Sequence, residues 1–177
     1  MPNEQLWAPW RLKYILSEKD AKQPCDPEKL LPGADPNCFL CRSVPEGDDR
    51  HSFLVDRGTH AITLLNRYPY NNGHLLVAPK RHYAALDELG EEVELELSRT
   101  ITRMVGLLER TLHPQGFNIG LNLGRAAGAG LPGHVHWHIV PRWTGDTNFM
   151  PVLAGANTIP QALEALWEVL VIELGKK

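Results

Sequence analysis

Short apolar and alternating segments along the chain predict a β-sheet. Successive side chains of a strand point to opposite faces, so an alternating segment indicates a strand with one buried face. The predicted strands are residues 52–56, 61–66, 74–78, 117–123 and 134–140. Residues 74–78 (HLLVA) are apolar almost throughout, which predicts a strand at the centre of the sheet. Arg57-Gly58, between the first two segments, is typical of a hairpin turn.

A different periodicity predicts helices. From Leu86 to Leu112, apolar residues recur every three or four positions, which indicates a long amphipathic helix that ends before Pro114. The same spacing predicts a C-terminal helix over residues 161–174 and a short N-terminal helix between Trp7 and Ile15. Strands joined by hairpins around one long inserted helix predict an α+β domain with a mainly antiparallel sheet of about five strands.

The composition is that of one globular domain without an unusual charge. The chain has 177 residues, a net charge of −3 and a pI near 6.2. This length suits a single domain, and the charge argues against a general binder of nucleic acid or of anionic membranes. The sequence has neither an apolar run of the ~20 residues that span a bilayer nor a signal-peptide pattern. We therefore expect a cytoplasmic protein with neither nucleic acid nor membrane among its partners.

Histidines alternate with apolar residues over residues 134–140, which read HVHWHIV. As a strand, this segment places His134, His136 and His138 on one face, and we expect Pro141 to end its pairing because proline lacks a backbone donor. Imidazole is both a nucleophile near neutral pH and a common metal ligand. The alternative is a strand whose polar face meets solvent, but three strictly alternating histidines are unusual for such a face.

A glycine-rich loop, residues 124–133 (GRAAGAGLPG), precedes the histidines. Backbone N–H groups of such a loop can approach a ligand closely and form an anion-binding nest. The loop contains one arginine and no carboxylate, whereas a metal hydrolase usually adds Asp or Glu to its ligands. The pattern therefore indicates a phosphate group bound beside a nucleophilic histidine.

Cys38 and Cys41 form a C-x-x-C pair, which supplies two thiolates at a separation that suits tetrahedral zinc. Two further ligands must come from elsewhere in the chain. The alternative is a pair of reduced, partly buried thiols. The third cysteine leaves an odd number, which fits a reducing compartment better than a disulfide framework.

The histidine motif, followed by Pro141 and Arg142, resembles the signature of the histidine-triad (HIT) superfamily of nucleotide hydrolases and transferases. Residues 65–79 (LNRYPYNNGHLLVAP) are similar to the fragile-histidine-triad branch. The segments FNIGLNLG and RWTGDTNFMP, on either side of the motif, resemble bacterial diadenosine tetraphosphate phosphorylase-type members. The resemblance covers residues 38–152, with residues 1–37 as an N-terminal helix and irregular extension and residues 153–177 as a C-terminal helix packed on the same domain.

The resemblance implies a catalytic role for each histidine of the motif. His136 would attack the α-phosphorus of a nucleotide and form a covalent nucleotidyl-histidine, which divides one difficult displacement into two easier ones. His138 would contact the phosphate oxygens or assist the leaving group. His134 would orient the strand, either by a hydrogen bond or through zinc.

The resemblance implies one substrate-binding residue, Asn66, and the residue pattern indicates the others. Asn66 lies where fragile-histidine-triad proteins bind the ribose, although an asparagine that only starts a turn is the competing interpretation. Asn122 is expected to donate to phosphate or ribose, with turn capping again as the alternative. The amides of Gly128, Gly130 and Gly133 would stabilise charge on the phosphate oxygens.

A structural zinc site and a homodimer are implied in the same way. The zinc ligands of some relatives match Cys38, Cys41, His82 and His134 here, with His51 as a replacement for His82. No organic cofactor is expected, and an adenine nucleotide is the favoured substrate. His60, His74 and His113 have no partner that the sequence identifies, so we expect structural or surface roles for them.

The expected activity is that of a diadenosine tetraphosphate phosphorylase or hydrolase. The residue chemistry does not decide between phosphate and water as the second acceptor. The alternatives are a nucleoside phosphoramidate hydrolase, a non-catalytic nucleotide sensor, and a metal-centred hydrolase in which all three histidines bind one catalytic ion.

Overall fold

The structure is a computed structural model, which describes residues 27–146 and 161–175. The predicted N-terminal helix lies outside these residues. The strands are β1 (Leu54–Arg57), β2 (Ala61–Leu65), β3 (Leu75–Pro79), β4 (Gly116–Leu121) and β5 (Trp137–Arg142). The helices are α1 (Phe39–Arg42), α2 (Asp49–Ser52), α3 (Glu91–Leu112) and α4 (Leu163–Gly175). Single 3-10 turns occupy Pro27–Lys29, Leu86–Glu88 and Arg125–Ala127.

The five strands form one antiparallel sheet in the order β1-β2-β3-β5-β4. Strands β1, β2 and β3 follow one another through short connections, and α3 then carries the chain to the far edge, where β4 begins. Strand β5 returns between β4 and β3, so β3 lies in the middle with all five residues buried. The predicted α+β fold, with its antiparallel five-stranded sheet and inserted helix, is confirmed.

The long helix begins and ends where its sequence dictates. Glu91, Glu92 and Glu94 lie in its first turn, where negative charge is favourable at the N-terminal end of the helix dipole. It ends at Leu112, and the next residue, His113, caps it in a left-handed conformation with φ of 48°, directly before Pro114. The predicted start at Leu86 is too early, because Leu86–Glu88 is a separate 3-10 turn.

Two apolar clusters cover the two faces of the sheet. The larger cluster lies under the helices and contains buried residues of α3, α4 and the strands, among them Leu97, Met104, Leu107, Leu166, Leu170, Val77 and Ile139. The smaller cluster contains Cys38, Leu40, Cys41, Leu54, Ile62, Leu64 and Ala78. The C-x-x-C segment therefore forms part of the cover on the face opposite the long helix. Within the described residues, no helix combines the length and apolar character needed to cross a bilayer.

Strand β5 is shifted from its predicted position. Its ladder begins at Trp137, so His134 and His136 precede it. Val135 instead donates its backbone N–H to the Tyr83 carbonyl at 2.8 Å. The prediction of one continuous strand over all three histidines is therefore wrong, because the chain before Trp137 is bound to the segment after β3.

Pro141 lies inside β5 and does not end it. It pairs with Phe117, and β5 continues to Arg142. The N–H and C=O of a strand residue face the same neighbouring strand, and the Pro141 carbonyl accepts from Asn71 Nδ2 at 3.1 Å. The missing N–H therefore faces the β3 side of the sheet at a position that precedes the first residue of β3, Leu75, which pairs with Ile139. The ladder between β5 and β4 loses no hydrogen bond.

Candidate active site and metal centre

Two histidines of the motif lie together where β5 begins. The rings of His136 and His138 have centroids 5.1 Å apart. His138 stands opposite Leu76 of β3 and Gly120 of β4. Gly120 presents no side chain, and a Cβ built there would meet nothing within 4 Å. The sheet therefore leaves open space beside His138.

The hydrogen bond of His136 fixes which of its nitrogens can react. Nδ1 lies 2.7 Å from the His134 backbone oxygen, which can only accept, so Nδ1 carries the hydrogen. Nε2 then holds the lone pair. Burial lowers the pKa of His136, so the ring stays neutral near pH 7. A neutral imidazole with an available Nε2 lone pair is a nitrogen nucleophile.

His138 has a buried histidine as its partner. Its Nδ1 lies 2.9 Å from Nε2 of His74, and the side chain of His74 is fully buried. The exposed Tyr70 ring stacks on His138 with centroids 5.7 Å apart and planes 25° apart. The sequence did not identify either residue as part of the site, and it predicted a structural or surface role for His74. The signal that could have found His74 is one polar residue in an otherwise apolar central strand segment, since buried polar groups need partners.

The remaining histidine of the motif belongs to a different cluster. His134 Nδ1 lies 3.3 Å from Cys38 Sγ and 3.6 Å from Cys41 Sγ. His82 Nδ1 lies 3.3 Å from Cys41 Sγ. The four candidate ligand atoms all lie within 4.8 Å of one another. The structure thus brings together the four residues predicted as zinc ligands, whereas His51 lies exposed on α2 and is not a member.

The geometry of this cluster fits a tetrahedral ion. Zn–S bonds of about 2.3 Å and Zn–N bonds of about 2.0 Å place sulfur and nitrogen ligands about 3.5 Å apart. The three sulfur–nitrogen distances of 3.3 to 3.6 Å agree with that separation between ligands. His134 Nε2 also lies 2.9 Å from the Pro79 carbonyl, to which it donates. Such a bond leaves Nδ1 unprotonated and turned to the ion, as metal-binding histidines require.

The pKa values of the two thiols in the cluster are shifted in opposite directions. Hydrogen bonding from Cys38 lowers the pKa of Cys41 to about 4, with further contributions from His134 and His82. The same contact with Cys41, together with burial, raises the pKa of Cys38. One thiolate in a buried group of donors is a favourable starting point for binding a divalent cation, whose charge would favour loss of the second proton.

The predicted substrate-binding asparagines lie on either side of the histidines. Asn66 directly follows β2, and its Oδ1 accepts from the Tyr68 amide at 3.0 Å, as in an asparagine turn. Its Nδ2 lies 3.3 Å from His74 Nδ1. Asn122 is half-buried just beyond the Leu121–Trp137 pair, so continuing that register places it opposite His136. Asn66 therefore supports the turn before β3, and both binding roles stay predictions.

One backbone amide of the glycine-rich loop, residues 124–133, is already hydrogen-bonded within the loop. Gly128 has a φ of 87°, and its amide donates to the Arg125 carbonyl at 2.9 Å, closing the 3-10 turn. A Cβ at Gly133 would lie 3.6 Å from His82 Nε2, so this glycine borders the metal cluster. Gly130 is exposed in the turn between them. In this conformation the Gly128 amide is committed to its turn, so Gly130 and Gly133 are the better candidates for binding phosphate.

Comparison with known proteins agrees with this architecture. Residues 49–145, more than half of the chain, match the sequence model of the HIT domain. An AP-4-A phosphorylase of Mycobacterium tuberculosis is 36% identical over 174 residues, which cover 98% of this chain and 86% of that protein.

Solved structures give the same result. A hypothetical histidine triad nucleotide-binding protein of Sulfolobus tokodaii superposes with a TM-score of 0.63 at 25% identity, covering 78% of this chain and 93% of its own. A zinc-bound histidine triad family protein of Mycobacterium smegmatis superposes with a TM-score of 0.57 at 26% identity, covering 70% and 84%.

The fold and the histidine site therefore define a protein of the class that comprises nucleotide hydrolases and transferases. The chain belongs to the HIT domain family.

Proposed function

We propose that this protein transfers or hydrolyses the nucleotidyl group of dinucleoside polyphosphates through a covalent intermediate on His136. The observation that carries this proposal is the 2.7 Å contact between His136 Nδ1 and the His134 carbonyl. It directs the lone pair of the ring to Nε2, the nitrogen that would meet phosphorus. Burial lowers the pKa of His136, so the nucleophile does not have to lose a proton first.

The reaction has two displacements. In the first, His136 Nε2 forms a bond to the α-phosphorus while the phosphoanhydride bond breaks, and the remaining nucleoside polyphosphate leaves. In the second, an acceptor attacks the same phosphorus and releases His136. His138 and the amides of Gly130 and Gly133 contact the phosphate oxygens, where negative charge is stabilised by fixed donors.

We propose diadenosine tetraphosphate as the substrate and inorganic phosphate as the second acceptor. The support is the similarity over nearly the whole chain to a protein named AP-4-A phosphorylase. With phosphate, the adenylyl group leaves His136 as ADP and the first leaving group is ATP. With water in place of phosphate, the adenylyl group leaves as AMP.

The test uses diadenosine tetraphosphate labelled at the α-phosphate, with and without inorganic phosphate. We expect an acid-labile, alkali-stable label on the protein that is missing in His136→Gly. Labelled ADP is expected when phosphate is present. AMP as the main product would show that water, and not phosphate, is the second acceptor. Turnover without a labelled protein at any time point would contradict the covalent step.

The rival functions make different predictions. A catalytic ion held by the whole motif requires three converging imidazoles, but the Nδ1 atoms of His134, His136 and His138 face cysteine sulfur, a carbonyl and His74 respectively. A sensor would bind diadenosine tetraphosphate without releasing mononucleotide. A phosphoramidate hydrolase would prefer adenosine 5′-phosphoramidate in direct competition with diadenosine tetraphosphate.

We further propose that Cys38, Cys41, His82 and His134 hold a structural zinc ion. The supporting observations are the tetrahedral spacing and the similarity in fold to a zinc-bound relative. The ion would fix His134, whose carbonyl accepts from His136, and so would orient the nucleophile without taking part in the reaction. Metal analysis of the purified protein should find about one zinc per chain.

We also propose that the protein forms a homodimer through β4. Within the described residues, the outer edge of β4 pairs with no other strand, and it carries no charged residue or proline that would discourage pairing. Ile119 is 47% exposed on this strand, and Leu123 is 48% exposed just after it. Light scattering should give a dimer for the unmodified chain and a monomer for Ile119→Lys.

A further inference from the structure

A cluster of polar and charged side chains lies at the C-terminal end of β5, around Asp146. The side chain of Asp146 is 9% exposed, and its carboxylate accepts from Arg142 through Nε at 2.6 Å and Nη2 at 2.9 Å. The same carboxylate accepts from the Trp143 amide at 3.1 Å and from Asn71 Nδ2 at 2.8 Å. A carboxylate with so little exposure needs such donors, because losing water without gaining partners is costly.

This cluster lies on the same face of the sheet as the catalytic candidates. Side chains alternate along a strand, so Arg142 shares its face with His138. Arg142 Nη1 donates to Asn118 Oδ1 at 2.7 Å. Asn118 lies two residues before Gly120 on β4, a distance of about 7 Å along a strand. Gly120 stands opposite His138, so the cluster borders the open space beside that histidine.

One member of the cluster belongs to the loop that joins β2 to β3. Asn71 lies 75 positions before Asp146, and its Nδ2 also donates to the Pro141 carbonyl at 3.1 Å. The residue before it, Tyr70, stacks on His138 with ring centroids 5.7 Å apart. The carboxylate therefore holds the loop at the residue next to the ring that covers His138.

We infer that Asp146 is a positioning residue of the active site, which acts by fixing the loop between β2 and β3. The contact with Asn71 keeps the Tyr70 ring against His138. Stacked rings attract each other, so this contact limits the orientations of the His138 imidazole. Releasing the loop would leave that ring with several orientations. This role rests on the proposed function, since the rate that it affects is that of attack by His136.

The simplest alternative is that Asp146 only stabilises its own turn. Its amide donates to the Trp143 carbonyl at 3.1 Å, and its carboxylate accepts from the Trp143 amide, so the turn closes locally. The pair with Arg142, four residues earlier, is also local. A local turn requires no contact with Asn71. The long-range hydrogen bond to Asn71 is therefore the contact that separates the two explanations.

The other end of the loop has supports of its own. The Asn66 amide donates to the His74 carbonyl at 2.9 Å, and its side chain accepts from the Tyr68 amide at 3.0 Å. Neither contact involves Asp146. Loss of the Asp146 contact should therefore lower kcat with little change in KM, whereas displacement of the whole loop would also move Asn66, the candidate for ribose binding, and raise KM.

Two substitutions of Asp146 test the contact. We expect Asp146→Ala to lower kcat for diadenosine tetraphosphate by about 100-fold, the loss that follows when a group at the reacting centre is displaced by about 1 Å. Asparagine keeps one side-chain oxygen, which can still accept from Asn71 and from the Trp143 amide. We therefore expect Asp146→Asn to stay within about fivefold of the unmodified protein. Equal losses in the two variants, or a rise in KM equal to the fall in kcat, would overturn the inference.

Asn71→Ala tests the same contact from the loop, and it carries the test if Asp146→Ala does not fold. It leaves Asp146 the hydrogen bonds within its own turn. We expect the kcat of Asp146→Ala, and no further loss in the double variant, because both substitutions remove one contact. Losses that add would show independent roles and overturn the inference. Glu168→Ala is the matched control, since it removes the surface ion pair with Arg50 and should leave kcat unchanged.

NMR of the His138 ring tests the positioning without turnover. The Tyr70 ring current shifts the ring-proton signals of His138. In Asp146→Ala and Asn71→Ala we expect these signals to move towards their positions in Tyr70→Leu, and in Asp146→Asn to stay in place. Unchanged signals in both alanine variants would overturn the inference.

This spectroscopic result does not depend on the proposed function. Failure of the proposed function would appear as a missing adduct on His136 in the unmodified protein. Failure of the positioning role would appear as unchanged His138 signals in Asp146→Ala, whether or not the adduct forms.

Discussion

The two ends of the histidine motif lie four residues apart but have different surroundings. At one end, His134 is fully buried among Cys38, Cys41 and His82. At the other end, His138 borders the open space left by Gly120. The first end resembles a closed structural metal site, in which all ligands come from the protein. The second end leaves room for a ligand.

The two ends are joined by one backbone group. The His134 carbonyl accepts from His136 Nδ1, while the His134 side chain belongs to the cysteine cluster. One residue thus connects the candidate metal site with the candidate active site. Alternating histidines in one short segment therefore need not share a task. Substitutions at the two ends should therefore separate stability from activity.

The largest effect is expected for His136→Ala. Loss of the nucleophile should lower kcat by at least about 10⁴-fold, in the range found when a covalent nucleophile is removed. The melting temperature should fall by much less than for a substitution in the cysteine cluster. Steady-state kinetics with diadenosine tetraphosphate and thermal unfolding provide the two measurements. Activity within tenfold of the unmodified protein would refute the assignment of His136.

The second effect is expected for Cys41→Ala. Removing one ligand leaves a buried, poorly paired group of donors, and we expect a loss of at least about 3 kcal/mol in the free energy of unfolding. For a chain of this size, that corresponds to a fall in Tm of about 6–12 °C. Zinc content should fall with it. His51→Ala is the matched control, because this exposed histidine lies outside the cluster and should leave both quantities unchanged.

A third, smaller effect is expected for His74→Leu. Leucine fills the buried space but cannot form a hydrogen bond with His138, so His138 Nδ1 loses its partner. We expect kcat to fall by about 10- to 100-fold, as for loss of a group that orients a reactive side chain. Zinc content should not change. A fall in zinc content equal to that of Cys41→Ala would show that the two ends of the motif are not separable.

The features that the sequence could predict are those carried by neighbouring residues or by a specific motif. The C-x-x-C pair has a strong local signal, and the resemblance to known relatives supplied His82 and His134, which the structure brings together with it. The sheet followed from alternation, and the long helix from its apolar stripe. These features depend on neighbours in sequence or on a specific motif, so a single chain is enough to predict them.

The partnership of His74 and His138 could not be predicted in this way. The two residues are 64 positions apart, and the contact depends on the pairing of β3 with β5 in one register. The start of β5 was misplaced for a related reason, since Val135 bonds to Tyr83 and not to a strand. Both features arise from long-range contacts, for which a single sequence carries little local signal.

The smallest effect is expected for Gly120→Ala, which tests whether the open end of the motif is kept open for substrate. Glycine weakens a strand by about 0.5–1 kcal/mol relative to alanine, so the substitution should raise stability by that amount. Its methyl group would stand beside His138, and we expect kcat/KM to fall by less than about tenfold, or about 1.4 kcal/mol. Gly116→Ala is the matched control, because Gly116 also faces open space on β4 but pairs with Arg142 at the other end of the strand. It should give the same gain in stability with unchanged kinetics, and equal kinetic losses in both variants would mean that the space beside His138 is not used.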